Sequence, residues 1–141
     1  MRTNTYVFFT ILPIIFCTPV RANSLLLEGV WVLNKMKTQH SIEESKAVIP
    51  VSQLTTLKNS YGNQAYVFKG NKTTYTSINS INSQEVWLEW EVQDETSDSI
   101  TIQFNGLNNG SITFKKITNC LGLYIEHFKY IEYYCKMKVS N

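Results

Sequence analysis

Glu85 to Gln93 reads EVWLEWEVQ, and the alternation in that stretch decides the fold. Val86, Leu88, Trp90 and Val92 fall on one face; Glu85, Trp87, Glu89 and Glu91 fall on the other. Side chains of an extended chain point to opposite faces in turn, so this is a strand with one greasy side and one wet side. That division is the habit of antiparallel sheets, which cover a core on one face and meet solvent on the other. The same period recurs outward from it. Asp94 to Ser97 is turn-like, Ser99 to Phe104 sends Ile100, Ile102 and Phe104 inward, and Asn105 to Gly110 (NGLNNG) is a strong turn. Ser111 to Ile117 then sends Ile112 and Phe114 inward. Toward the N-terminus, Gln64 to Lys69 and Lys72 to Ile78 flank Gly70-Asn71, a tight hairpin signal. Gly29 to Lys37 (GVWVLNKMK) reads as a first strand, and His40 to Ser60 as one helical turn followed by loop.

The last two strands register against each other. If Cys120 faces Cys135, then Gly122 lies beside Tyr133, Tyr124 beside Ile131 and Glu126 beside Lys129, with the turn centred on His127-Phe128. A ring over a glycine, a Tyr–Ile contact and an opposite-charge pair are all favourable across strands. A disulfide is therefore expected between Cys120 and Cys135. The opposite face of this hairpin carries Leu121, Leu123 and Ile125 against Tyr134, Glu132 and Tyr130. The total is eight short antiparallel strands, an all-β fold. An up-and-down barrel and a β-sandwich both fit, and sequential hairpins without a long crossover after residue 64 favour the barrel.

The first residues read as a secretory signal: Arg2, then the apolar run Tyr6 to Phe16, then Val20-Arg21-Ala22 as a cleavage site. The run is too short for a spanning helix and contains Pro13, so no stable membrane anchor is expected after cleavage. Residues 1–22 are then the signal, and residues 23–141 a single domain in a secreted or periplasmic chain. Arg2, Arg21 and Cys17 leave with the signal. Eleven Lys remain against eleven acidic residues, and this balance argues against nucleic acid, which demands a basic excess. Cys120 and Cys135 remain as an even pair, as suits an oxidising compartment.

Leu27-Glu28-Gly29-Val30-Trp31 resembles the L-x-G-x-W opening of lipocalin-like domains. A Phe strand before a Gly turn (Phe68, Gly70), a Trp strand (Trp87, Trp90) and a Tyr-rich last strand ending in Lys (Tyr133, Tyr134, Lys136) continue the likeness. Small bacterial lipocalin-like domains are the nearer comparison, because the family's later Thr-Asp-Tyr and Arg motifs have no clear match. The resemblance implies a barrel whose Trp plugs the closed end, with an apolar pocket.

Catalytic groups do not converge. His40 and His127 have no neighbour at metal-ligand spacing and read as surface residues; no Ser sits in a nucleophile elbow, and no cofactor loop appears. Glu85, Glu89 and Glu91 share a face that reads as wet surface. Glu132 has two readings: with Tyr130 and Tyr134 it lines a pocket and orients a ligand, or its face is solvent and the cysteine face is core. Trp87 either anchors a partner or packs beneath the 40–60 segment. The expectation is a non-enzymatic binding protein. Either it holds a small apolar ligand within a cavity lined by Trp90, Ile102 and Phe114, or it is a protein-binding module, such as an exported inhibitor or immunity protein, with a filled core.

Overall fold

The computed structural model describes residues 26–77, 86–105 and 110–138. The expected signal segment lies outside them, as do Glu85, Ile78 and most of the Asn105 to Gly110 turn. Eight strands run in sequence order around a closed antiparallel up-and-down barrel: β1 (Gly29–Leu33), β2 (Gln64–Lys69), β3 (Lys72–Ser77), β4 (Leu88–Glu95), β5 (Ser99–Asn105), β6 (Ser111–Ile117), β7 (Cys120–Ile125) and β8 (Tyr130–Lys136). The sandwich alternative is thereby set aside. Two helices, α1 (Lys35–Glu44) and α2 (Val51–Ser60), sit between β1 and β2.

The helices correct two expectations. The first strand stops at Leu33, not Lys37, because the Asn34 side chain caps a helix by accepting from Lys37 N at 3.0 Å. The residues after Asn34 mix apolar and polar in a way that also suits a helix, so alternation alone overran the end. Beyond α1, the expected loop is α2. It begins directly after Pro50, whose missing N–H costs nothing at a helix start. His40 accordingly stands on a helix, exposed and 3.3 Å from Glu44, and not in a loop.

β4 also differs. It starts at Leu88, and Val86, expected inward, is 74% exposed ahead of it. A bulge between Val92 and Asp94 re-phases the strand, so Asp94 and Glu95 still pair with Thr101 and Ile100, and the turn falls later than Asp94. The β2–β3 and β5–β6 strand pairings follow the reading. Gly70 takes φ +59 in the two-residue β2–β3 turn, a conformation that favours glycine.

The β7–β8 hairpin has the expected register: Cys120 opposite Cys135, Gly122 opposite Tyr133, Tyr124 opposite Ile131. The disulfide is formed, with Cα atoms 3.9 Å apart. Glu126 and Lys129 meet at 3.8 Å across the turn. Gly122 is covered chiefly by Ile117 and Ile131, since a Cβ there would lie 2.7 Å and 3.1 Å from their methyls.

The leucine face of this hairpin points inward. Leu121, Tyr130 and Tyr134 join Trp31, Phe68, Trp90, Ile100, Ile102 and Phe114 in one buried cluster. The turns at 70–71, 96–98 and 118–119 gather at one end with the start of β1, where Trp31 is buried and donates from Nε1 to Leu27 O at 2.7 Å. Lys136 Nζ covers the Trp31 ring at 5.4 Å. The other end receives α2, the start of β4 and the 126–129 turn; we call it the mouth.

Candidate functional site at the barrel mouth

Among the described residues, β3 and β4 share two pairs, Lys72 with Glu89 and Thr73 with Leu88. β2 pairs with β3 through six residues. The outer half of β3 therefore reaches toward the mouth without a paired β4 residue among those described. A pocket of about 510 Å³ opens there. Its walls are Tyr66 from β2, Thr73, Thr74 and Tyr75 from β3, Leu88 from β4 with Val86 ahead of it, Phe104 from β5 and Ile112 from β6. That size falls within the roughly 300–1,000 Å³ of small-molecule sites, and the wall is mainly apolar with a few hydroxyls, as such sites are.

Thr73 is the informative wall residue. It is 2% exposed, and its Oγ1 is buried without a hydrogen-bond partner. The Trp90 indole N–H in the packed core shares this state, and a buried polar group left unmade costs about 1–3 kcal/mol.

Behind Tyr75 lies a network of four tyrosines around one carboxylate. Tyr61, at the end of α2, donates to Glu132 Oε1 at 2.6 Å, and Tyr134 donates to Oε2 at 2.8 Å. Tyr130 shares a hydrogen bond with the Tyr61 hydroxyl. The Tyr134 hydroxyl also lies 3.4 Å from that of Tyr75, which joins the network to the pocket wall. Strand alternation explains the meeting: Tyr130, Glu132 and Tyr134 are every second residue of β8 and all face inward. Burial raises all of these hydroxyls above the ordinary tyrosine range. For Tyr61 the hydrogen bond to Glu132 adds to the rise, and for Tyr134 the negative charge of Glu132 does so. Tyr75 and Tyr130 move the same way for the same first reason. Tyr66 is raised by burial, then by the charges of Tyr75 and Glu132. At neutral pH these phenols stay protonated and act as donors.

The six residues expected around a ligand separate into two groups. Trp90, Ile102 and Phe114 lie in the packed floor, fully buried. Tyr130, Glu132 and Tyr134 are brought together in the network beside the mouth. Tyr61, Tyr66, Thr73 and Tyr75 went unremarked in the sequence. Only the β2–β3 register, pairing Tyr66 with Tyr75 and Phe68 with Thr73, could have put three of them on the inner face.

Elsewhere, Trp87 is half-buried beside Lys69 and Lys72 on the wall. Glu89 is exposed and Glu91 half-buried. His127 is exposed, its ring 4.5 Å from that of Phe128. Among the described residues, no three His, Cys, Asp or Glu gather as metal ligands, and no helix is long and apolar enough to cross a membrane. In comparisons with known proteins, no family model, curated protein or solved structure matched the chain.

Proposed function

We propose that this protein is an exported, lipocalin-like binding protein that holds a small, mainly apolar ligand in the mouth of its barrel. The observation that carries the reading is the pocket of about 510 Å³ walled by Tyr66, Tyr75, Leu88, Phe104 and Ile112. The disulfide supports an oxidising compartment. The lipocalin likeness rests on the eight-stranded closed barrel and the buried Trp31 at its closed end. Binding is favoured over catalysis because the hydroxyls near the site are held protonated around one carboxylate, which equips them to orient a ligand and not to take its protons.

The test is titration of the mature chain with the neutral fluorophore N-phenyl-1-naphthylamine. Saturable one-to-one enhancement is expected, lost when Ile112→Trp fills the pocket. Absence of binding by the folded protein, or equal binding by the filled variant, contradicts the reading. Recovery from the periplasm or medium of a chain whose mass begins at Asn23 tests export.

One observation favours a second reading, an exported inhibitor or other protein-binding module. Met36, Val48 and Val51 stand 81%, 54% and 87% exposed on and between the helices. Under that reading Val48→Ser with Val51→Ser abolishes partner capture and leaves fluorophore binding unchanged.

A further inference from the structure

The mouth pocket is lined by the aromatics Tyr66, Tyr75 and Phe104, and none of its lining residues among those described is Lys, Arg or His. A fatty acid or phosphate ester placed there meets no counter-charge. It meets instead the field of Glu132, which lies behind Tyr75 by way of Tyr134. Burying an anion against that carboxylate is costly, whereas burying a cation is offset by it. The rings of Tyr66 and Tyr75 stand 4.8 Å apart, tilted by 47°, and both line the pocket. Ring faces attract a cation within about 6 Å, most strongly when water is excluded. Leu88, Phe104 and Ile112 supply the apolar wall for the rest of a ligand. Thr73 also lines the pocket, though its hydroxyl is itself buried.

We infer that the ligand class is an amphipathic amine, with its ammonium group against the Tyr66 and Tyr75 rings under the field of Glu132 and its apolar body along Leu88, Phe104 and Ile112. The inference rests on the pocket reading above and adds the sign of the charge. Tyr66 and Tyr75 are then specificity residues, and Glu132 acts through the tyrosines as a positioning residue.

The test compares three probes of one chain length by calorimetry at neutral pH: decylamine, decanol and decanoate, each below its micellar range. Decylamine is expected to bind roughly tenfold tighter than decanol, since the cation–ring and charge contributions together amount to a factor of that order. Decanoate is expected to bind most weakly. In Glu132→Gln the ratio of decylamine to decanol affinity falls toward one. Tyr75→Leu, at a half-exposed position, reduces the same ratio without relying on the network to fold. If decanol equals decylamine, or decanoate binds best, the inference is overturned and the pocket reading stands. If none of the three binds the folded chain, the pocket reading falls and the inference falls with it.

Discussion

Among the described residues, the β8–β1 seam shows three residue pairs and the β3–β4 seam two, and the chain treats them in different ways. At the first, α1 takes over where β1 ends. Thr38 Oγ1 accepts from Tyr133 N at 3.1 Å, and Ser41 Oγ accepts from Ile131 N at 2.9 Å. Asn34 N donates to Tyr133 O at 2.6 Å. These are ladder groups of β8 that β1 does not reach, and unpaired backbone groups are expensive to bury. Thr38 and Ser41 are buried on a helix for that reason. At the second seam Thr73 keeps a buried hydroxyl free, and a pocket opens beside it. The first seam is closed by internal partners; the second borders a buried unpartnered hydroxyl and a pocket.

The largest expected effect separates the packed floor from the mouth. Phe114→Ala removes a fully buried ring and is expected to cost about 4 kcal/mol. Phe104→Ala, half-buried in the pocket wall, is expected to cost less than about 2 kcal/mol. Urea unfolding of both reads the difference, and equal losses erase the distinction. Next comes the sulfur clip beside the sealed seam. Cys120→Ser with Cys135→Ser opens a loop of 15 residues and is expected to lose roughly 3 kcal/mol.

The seal itself is smaller. Thr38→Val with Ser41→Ala leaves the Tyr133 and Ile131 amides without acceptors, at about 1 kcal/mol each. Amide exchange at those two positions should quicken, and unchanged protection argues that α1 only covers the sheet. The tyrosine network gives a pH signature. Folding raises the Tyr61 and Tyr134 hydroxyls above the roughly pH 10 of a free tyrosine. The folded state then holds protons that the unfolded chain has lost, so stability is intact below about pH 10 and falls as pH climbs past it. Tyr61→Phe or Tyr134→Phe should flatten that fall, followed by tyrosinate absorbance and circular dichroism. The smallest effect is at the open seam. Thr73→Val exchanges an unpartnered hydroxyl for a methyl and should leave stability within about 0.5 kcal/mol or raise it.

These two seams also mark where sequence reading succeeded and stopped. Strand alternation with sequential hairpins favoured the barrel over the sandwich, and one assumed cysteine pairing set the β7–β8 register, because both rest on local period and charge matching. Glu132 was legible as a carboxylate on a leucine face for the same reason. The helix of α1 was not, since Asn34 can end a strand or cap a helix, and the choice between them is made by β8 amides nearly a hundred residues away. The bulge after Val92 left no mark in composition. Tyr61, Tyr66, Thr73 and Tyr75 become a site only when β2 and β3 close against β8, a long-range event that no short window contains.

The most direct trial is a methyl NMR titration of residues 23–141 with decanol. Shifts are expected to be confined to Leu88, Ile112 and other methyls at the mouth, with Ile100 and Leu121 in the floor unmoved. Shifts centred on Val48 and Val51, or at no methyl at all, would contradict that expectation.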